Sequence, residues 1–477
     1  MLRHTKIVAT LGPASSSPEI LERLVRAGVD VVRMNFSHGT ADDHRARAEG
    51  IRAAVARVGR TVGILGDLQG PKIRVGKFEQ GKIELKAGAK FILDAQCPLG
   101  NETRVGLDYR DLPKDVAAGD ILLLDDGRLK LEVVSVRGDE IHTRVRVGGP
   151  LSNNKGINRQ GGGLTAPALT AKDMDDIRTA AAIGVDFVAV SFPKSAADMT
   201  LARQLLRAAG STALLIAKIE RVEAVSNMAE ILDASDGIMV ARGDLAVEVG
   251  DASVPALQKR MIRLARDKNK LTITATQMME SMIHSPVPTR AEVSDVANAV
   301  LDGTDAVMLS AETAAGSYPV ETVESMSRIC IEAERSAQVT LDREFLDRVF
   351  TRIDQSIAMA AIWTSSHLKV KAIAALTQTG STALWMSRLN CGVPIYALTP
   401  DAEAVGHMAL YRGVCPLPMP QQHNDRDRLL AEAEQLLIDR GVVEPGDLMA
   451  LTIGEPIGST GGTNTLKIVR VGEHQIN

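Results

Sequence analysis

Short, nearly continuous runs of apolar and β-branched residues recur along the first two thirds of the chain. Most of them precede a stretch whose apolar positions have helical spacing. A strand shows such a run when helices cover both of its faces. The eight runs are Lys6–Thr10, Val29–Asn35, Val62–Leu68, Asp186–Ser191, Ala213–Glu220, Gly237–Ala241, Leu271–Thr276 and Asp305–Ser310. Eight strand–helix units predict a closed (β/α)8 TIM barrel in an α/β protein, with an open doubly wound sheet as the structural alternative.

The interval between the third and fourth runs has a different pattern. Segments such as KIELKAGAKFILD alternate apolar and polar residues, and Asp126–Gly127 is a turn signal. This pattern predicts a small, β-barrel-like domain inserted over 75–165, in the third βα loop above the barrel mouth. Gly70–Pro71 and Gly161–Gly163 are its expected hinges. The barrel domain then comprises 1–74 and 166–341.

A third unit is predicted over 342–477, after the eighth strand–helix unit. Helical segments at Ile353–Leu368 and Arg426–Asp439 alternate with strands at Val370–Leu376, Pro394–Leu398 and Leu448–Ile453. This alternation predicts a small C-terminal α/β domain.

Composition and charge exclude several classes of protein. The 477 residues are 45% hydrophobic and 24% charged, which is typical of a globular protein of about three domains. Lys and Arg number 55 against 59 Asp and Glu, and aromatic residues are only 3%, so no nucleic-acid partner is expected. No run of about 18 apolar residues occurs, so no membrane span is predicted. Four scattered cysteines and an N-terminus without a signal-peptide pattern predict a cytoplasmic protein without disulfides or a zinc site.

Charged and hydrogen-bonding residues lie near or just after the ends of six of the eight runs, and in a barrel the ends of all strands meet at one rim. These residues are Arg33, Asn35, Ser37, His38, Asp67, Lys72, Arg74, Lys218, Glu220, Gly243, Asp244, Thr276, Ser310 and Glu312. Taken singly, each is open to a simpler interpretation as a solvated loop residue, a helix cap or half of an interior salt bridge. Convergence from six strands favours an active site.

The residue types at this rim indicate the chemistry. Glu220 and Asp244 offer the hard oxygen ligands that Mg²⁺ prefers. Lys218, Arg33 and Arg74 suit an anionic, phosphorylated substrate. Backbone N–H groups at Gly243 suit a carboxylate. Together they predict phosphoryl transfer or enolate chemistry, and the chain lacks the P-loop motif of nucleotide triphosphatases.

The strings MNFSHG, ALLIAKIERVEAV, MVARGDL, TATQMMESM and PTRAEVSDVANAVLDGTDAVMLSAET, in this order, closely resemble the pyruvate kinase family over essentially the whole chain. The resemblance implies phosphoryl transfer from phosphoenolpyruvate to ADP, giving ATP and pyruvate, the last step of glycolysis. It implies that Arg33 and Lys218 contact the phosphoryl group. It further implies that Glu220 and Asp244 hold one Mg²⁺, while a second Mg²⁺ arrives with the nucleotide.

The resemblance also implies roles for the remaining rim residues. Gly243 and Asp244 N–H groups and the Thr276 hydroxyl would bind the substrate carboxylate, and Thr276 lies where a proton passes to the enolate. Ser310 and Glu312 would lie outside the direct contacts. Arg74, His38 and Lys155 would face the nucleotide phosphates, with the inserted domain closing as a lid.

One departure from the family pattern concerns the monovalent cation. Many members bind K⁺ at positions corresponding to Asn35, Ser37, Asp67 and Leu68. Leu68 has no hydroxyl, and Lys72 stands where the usual residue is Glu. A fixed ammonium could supply the charge that K⁺ supplies elsewhere, so activity without K⁺ is expected. The alternative is that Lys72 is a solvated hinge residue and K⁺ still binds.

The third domain carries a candidate effector site at Thr377, Thr379, Gly380, Ser381 and Thr382, between a predicted strand and a helix. These hydroxyls and N–H groups suit a phosphate, or form an ordinary helix cap. The resemblance, to the class regulated by sugar monophosphates and AMP, implies allosteric activation and a homotetramer. Two rival functions stay open, an Mg²⁺-dependent pyruvate aldolase or lyase and a catalytically inactive metabolite-binding homologue.

Overall fold

The computed structural model describes residues 3–336, 349–389, 392–420, 425–458 and 461–473. Eight parallel strands close into a barrel in sequential order, with the eighth strand hydrogen-bonded to the first. The strands are Lys6–Thr10, Val31–Asn35, Gly63–Asp67, Phe187–Val190, Leu214–Ile219, Gly237–Ala241, Leu271–Ala275 and Ala306–Leu309. Each lies inside its predicted run and ends within two residues of it. The TIM-barrel prediction is therefore confirmed, and the open sheet is excluded.

Helices surround the barrel and cover its outer face. They are Pro18–Ala27, Ala41–Val58, Ala171–Ile183, Ala196–Ala208, Val222–Ser226, Met228–Ala234, Arg242–Val249, Val254–Asp267, Arg290–Leu301, Ala311–Ala314 and Pro319–Ser336, with 3-10 turns at Pro13–Ser15, Asp251–Ser253 and Glu280–Ile283. Thr40, Thr170 and Thr289 cap three of these helices, each accepting the N–H three residues on. These caps fix where the chain turns from each βα loop into its helix.

Every residue of the first, third, sixth and seventh barrel strands is buried, as strands covered on both faces require. The barrel interior and the C-terminal domain share one hydrophobic cluster, which includes Val8, Ile216 and Ile273 with Ile362 and Ile395. The C-terminal domain thus packs against the N-terminal ends of the barrel strands, opposite the rim that carries the candidate site.

Between the third and fourth barrel strands lie two sheets around their own core, which runs from Ile73 to Ala166. Their strands pair antiparallel except for Lys90–Asp94 with Arg104–Val105, which pair parallel. In spatial order the larger sheet contains Ile157–Arg159, Ile121–Leu124, Leu129–Arg137, Glu140–Val147, Lys90–Asp94 and Arg104–Val105. The smaller sheet pairs Lys82–Leu85 with Gly149–Ser152, and Leu112–Asp115 is a short helix. Asp126 and Gly127 have positive φ angles and form a tight turn, as the sequence predicts.

The C-terminal domain has a five-stranded sheet, in the order Val414–Pro418, Ile395–Thr399, Ala372–Leu376, Leu448–Gly454 and Thr463–Arg470. Its helices are Ile353–Leu368, Ser381–Ser387, Ala402–His407 and Arg426–Asp439, with a 3-10 turn at Met408–Leu410. Two of these strands were not predicted from the sequence. The expected start of this domain, at residue 342, lies outside the described residues. In the ranges that the structure describes, no helix is long and apolar enough to cross a membrane.

Candidate active site

The centre of the rim is an array of alternating charges on three barrel strands. Arg33 donates from Nε to Asp67 Oδ2 at 2.6 Å. Lys218 Nζ lies 3.3 Å from Asp67 Oδ1, 3.0 Å from Glu220 Oε1 and 2.8 Å from the Ser191 hydroxyl. The carboxylates of Asp67 and Glu220 are 1% exposed, and the Lys218 side chain is 13% exposed. Two cations, Arg33 and Lys218, therefore contact the same buried carboxylate, that of Asp67.

Burial and charge oppose one another in this array. Burial acts to raise the pKa of Asp67, but the cations Lys218 and Arg33 outweigh it and hold that pKa below its usual value. Burial acts to lower the pKa of Lys218, and Asp67 and Glu220 raise it well above its usual value instead. Lys218 is therefore a permanent cation at neutral pH.

Glu220 is the first of the two candidate metal ligands. Its Oε2 accepts the N–H of Phe192 at 2.8 Å, and burial raises its pKa, opposed by Lys218 and reinforced by the negative charge of Asp244. A buried carboxylate beside the negative charge of Asp244 forms an oxygen-rich position that a cation would stabilise.

Asp244, the second candidate, lies in the first turn of helix Arg242–Val249 at the end of the sixth strand. Its Oδ1 accepts a hydrogen bond from Lys72 Nζ at 3.0 Å. The donor set of Glu220 and Asp244 fits one Mg²⁺ with its other positions left to water or substrate. Within the described ranges, no three His, Cys, Asp or Glu side chains converge on a preformed metal site.

The loop after the seventh strand is held in an unusual backbone conformation. Thr276 and Gln277 have φ angles of 69° and 54°, which non-glycine residues rarely adopt. The Thr276 hydroxyl accepts the Gly243 N–H at 2.8 Å and donates to the Ala275 carbonyl at 2.6 Å. Arg242 fixes the loop, because its Nη2 donates to the Thr276 carbonyl at 2.7 Å. The Gly243 amide and the Thr276 hydroxyl therefore face each other at the rim.

Ser310 and Glu312 lie behind this loop. Buried Glu312 accepts the N–H groups of Ser310 at 2.6 Å and Met279 at 3.3 Å, and burial raises its pKa. These contacts join the loops after the seventh and eighth strands.

Residues expected at the nucleotide are placed on different elements. Lys155 Nζ lies 2.7 Å from Asp125 Oδ1, and Arg74 donates from Nη1 to the Asn154 carbonyl at 3.1 Å. Both belong to the inserted domain or its junction, whereas His38 is exposed on the loop after the second barrel strand. The three do not contact one another in the described contacts.

The expected monovalent-cation positions lie beside the charge array. The Asn35 side-chain oxygen accepts the Ser37 N–H at 3.1 Å, and Leu68 is buried at 1% exposure. Lys72 lies across the cleft mouth with Asp126, Gly127, Asp244 and Gln277, which line one continuous cleft between inserted domain and barrel.

Two rim residues were missed by the sequence analysis, both on strands that contributed no candidate. Thr10 accepts a hydrogen bond from Arg33 Nη1 at 3.0 Å. Ser191 accepts from Lys218 and donates to the Leu68 carbonyl at 2.7 Å. Each ends a predicted run, so a rule that admits hydroxyls at strand ends would have found them.

In the C-terminal domain, Thr377, Thr379, Ser381 and Thr382 line a pocket together with residues of the last two strands. Gly380 is not among the lining residues, but its N–H donates to the Thr377 hydroxyl at 3.0 Å and its φ angle is 81°. Gly458, Gly461, Gly462 and Thr463 also border this pocket, and Thr463 begins the last strand of the sheet.

Comparison with known proteins accounts for this arrangement. The pyruvate kinase barrel-domain family matches residues 2–323, and the pyruvate kinase alpha/beta-domain family matches residues 355–469. The chain belongs to the pyruvate kinase family. It is therefore an enzyme of the phosphotransferase class with pyruvate kinase function, and the aldolase, lyase and inactive-homologue alternatives are not favoured.

Named relatives span nearly the whole chain. A pyruvate kinase of Haemophilus influenzae is 55% identical over 462 residues, covering 95% of this chain and 96% of that protein. Pyruvate kinase II of Salmonella typhimurium is 53% identical over 480 residues, covering 98% and 99%. A pyruvate kinase of Mycobacterium tuberculosis is 41% identical over 476 residues, covering all of both chains.

Proposed function

We propose that this enzyme transfers the phosphoryl group of phosphoenolpyruvate to ADP in the cleft between barrel and inserted domain, as the last step of glycolysis in the cytoplasm. The observation that carries the proposal is the Lys218 ammonium, fixed between Asp67 and Glu220 within 3.3 Å of each. A buried, permanently charged cation beside a candidate metal ligand suits a phosphoryl group whose negative charge is redistributed during transfer.

Arg33 and Lys218 bind the phosphoryl oxygens in this proposal. Asp67 orients both cations, so neither side chain has to be reorganised when the substrate arrives. The Gly243 and Asp244 N–H groups and the Thr276 hydroxyl bind the substrate carboxylate. Their position at a helix start favours an anion. Transfer leaves the enolate of pyruvate, which takes up a proton through water in the region of Thr276.

Glu220 and Asp244 hold one Mg²⁺ in this proposal, and a second accompanies the nucleotide. When bound, the metal neutralises charge on the transferred group and the enolate oxygen. Asp244 must exchange its contact with Lys72 for the metal, or share its two oxygens between them.

The inserted domain acts as a lid that brings Arg74 and Lys155 to the nucleotide phosphates, while His38 approaches from the barrel. Closure excludes water, which competes with ADP for the phosphoryl group. Three consecutive positive φ angles at Gly161, Gly162 and Gly163 support a hinge there, because such a backbone suits glycine alone.

Lys72 supports the further proposal that K⁺ is not required. Its ammonium already occupies the cleft mouth beside Asp244, and the buried Leu68 side chain offers no oxygen ligand to a cation at Asn35, Ser37 and Asp67.

The pocket at Thr377, Thr379, Ser381 and Thr382 supports binding of a phosphorylated effector such as a sugar monophosphate or AMP. Gly380 holds the loop by its bond to Thr377. We propose that occupancy of this pocket activates the enzyme within a homotetramer.

The deciding experiment is ATP formation from ADP and phosphoenolpyruvate with Mg²⁺, in parallel K⁺ and Tris buffers, with and without glucose 6-phosphate or AMP. Formation in both buffers supports the reaction and the role of Lys72. Formation only with K⁺ keeps the reaction and rejects that role. If neither effector changes the substrate saturation curve, both proposed pocket ligands are rejected.

A further inference from the structure

Three hydrogen bonds hold the chain where it returns from the inserted domain to the barrel. The Gly161 N–H donates to the Glu248 carbonyl at 3.4 Å, and the Gly163 N–H donates to Glu223 Oε1 at 2.5 Å. Arg221 donates from Nη1 to the Leu164 carbonyl at 3.3 Å. All of these barrel partners come from the two segments that follow the fifth and sixth strands, which also carry Glu220 and Asp244.

Glu248 contacts both of these segments and the chain that returns from the inserted domain. It lies one turn beyond Asp244 on the same helix and is 6% exposed. Its Oε2 accepts the Val222 N–H at 3.0 Å, two residues after Glu220. The Asn158 side chain, on the last strand of the inserted domain, is near enough to this carboxylate to act against the rise of its pKa.

We propose that Glu248 is a positioning residue that couples the hinge of the inserted domain to the two metal-binding carboxylates. The inference rests on the proposed function, because Glu220 and Asp244 are taken as the metal ligands. Rotation of the hinge changes the separation of Asn158 and Gly161 from Glu248. This displacement is passed to Glu220 through the hydrogen bond of Glu248 to Val222. It is passed to Asp244 through the helix that Glu248 and Asp244 share.

The neighbours of Glu248 favour a hydrogen-bonding role over a role as a charge. Burial raises its pKa to about 7, opposed by the Val222 N–H, Arg221 and Asn158 and reinforced by the nearby charge of Glu223. Arg221 is itself engaged, since it lies over the Phe192 ring at 5.4 Å and donates to Leu164. An amide of the same shape should therefore replace the carboxyl, whereas a methyl group should not.

The first test uses Mn²⁺ alone, with the full chain and without substrates, so that turnover plays no part. Glu248→Ala should weaken Mn²⁺ binding by about tenfold, because outer residues that orient metal ligands typically contribute that much or more. Glu248→Gln should restore the affinity to within about twofold of the unaltered protein. Glu49→Gln, on the exposed face of helix Ala41–Val58, is the matched control.

The second measurement is amide hydrogen exchange over residues 157–164. Faster exchange is expected in Glu248→Ala and in Asn158→Ala, but not in Glu49→Gln. Asn158→Ala removes only the partner in the inserted domain, so it keeps the test decisive if Glu248→Ala does not fold.

The outcomes separate the inference from the function on which it rests. Failure of the unaltered protein to bind Mn²⁺ would reject the metal site itself. Normal binding together with unchanged affinity in Glu248→Ala, even with a lower thermal midpoint, would reject the coupling and leave Glu248 as a structural residue. Equal losses in Glu248→Gln and Glu248→Ala would also overturn the hydrogen-bonding role.

Discussion

The ammonium of Lys72 lies 3.0 Å from the Asp244 carboxylate, so a residue at the first hinge of the inserted domain contacts a proposed metal ligand. Both side chains are about one quarter exposed, which leaves the contact open to exchange when metal and substrate enter. A hinge motion at this position would move a fixed positive charge relative to the cleft.

Replacing Lys72 with the acid usual in the family should create a requirement for K⁺. Lys72→Glu is expected to lose about tenfold or more of its activity in Tris buffer, because an attraction near Asp244 becomes a repulsion. Addition of K⁺ should restore most of that loss. The measurement is the initial rate of pyruvate formation across a K⁺ titration.

Lys77→Glu is the control for this charge reversal, since Lys77 is exposed on the inserted domain. An unaltered enzyme that already needs K⁺, or a Lys72→Glu variant indifferent to it, would contradict the prediction.

The residues of the rim could be predicted from the sequence because, in a parallel barrel, residues at the carboxyl ends of the strands lie together at one rim. Each of these candidates lies near the end of a predicted strand, and parallel strands of a closed barrel end at one face. Arg33, Asp67, Lys218 and Glu220 are therefore brought together although they are far apart in the chain. The individual ion pairs could not be predicted from the sequence. Side-chain packing determines that Asp67 contacts both cations and that Lys72 contacts Asp244.

Lys218 should be required both for phosphoryl transfer and for the stability of the charge array. Lys218→Met leaves Asp67 and Glu220 without their shared cation, and breaking such a buried pair typically costs about 3–5 kcal/mol. Its kcat should fall by at least about a hundredfold. Steady-state kinetics and urea unfolding measure the two effects.

Lys218→Arg separates these effects, because it keeps the charge but not the compact ammonium. It should recover much of the stability and little of the activity. A Lys218→Met variant with full turnover would overturn the assigned role.

Removing either proposed ligand should weaken metal binding without removing the fold. Asp244→Asn and Glu220→Gln are each expected to raise the Mg²⁺ concentration for half-maximal rate by about tenfold or more, because a neutral amide is a poorer Mg²⁺ ligand. Titration of the rate with Mg²⁺ gives the result directly. Glu230→Gln, at an exposed site on a nearby helix, is the control and should behave as the unaltered enzyme. If Asp244→Asn and Glu220→Gln respond to Mg²⁺ as this control does, the ligand pair is ruled out.

The two strands missed in the C-terminal domain show where sequence pattern fails. Val414–Pro418 contains two prolines, which argue against a strand, yet it lies at the sheet edge, where a missing N–H is tolerated. Thr463–Arg470 is the other edge and pairs antiparallel with Leu448–Gly454. Its exposed residues interrupt the apolar run that marks a fully buried strand. Both strands are stabilised by neighbours that only the tertiary fold supplies.

Asp186 should make the stability of the protein depend on pH in an unusual direction. Burial between barrel and C-terminal domain raises its pKa to about 6, against the Ile64 N–H and the charge of Arg52. The folded protein therefore holds this proton more tightly than the unfolded chain, so ionisation of Asp186 destabilises the fold above about pH 6. That penalty disappears as the pH falls toward the ordinary value of an aspartate.

Asp186→Asn should consequently stabilise the protein at pH 8 by roughly 1–3 kcal/mol and at pH 4.5 by roughly a third of that, since one pKa unit corresponds to about 1.4 kcal/mol. Thermal unfolding of variant and parent at the two pH values provides the comparison. Asp42→Asn, in an exposed pair with Arg45, should show no such difference. Equal effects of Asp186→Asn at both pH values would contradict the assigned titration.

Thr276 stores backbone strain that two small substitutions can reveal. Its φ of 69° disfavours any β-branched residue, and the hydroxyl contacts to Gly243 and Ala275 hold it there. Thr276→Ala and Thr276→Gly both lose these contacts, but only glycine also removes the strain. Thr276→Gly should therefore be more stable than Thr276→Ala by about 1 kcal/mol, the reverse of the usual order. Urea unfolding measures this difference. Thr276→Ser keeps the hydroxyl, so of the three variants it alone should retain substantial activity. A Thr276→Ala variant as stable as Thr276→Gly would show that the loop relaxes and stores no strain.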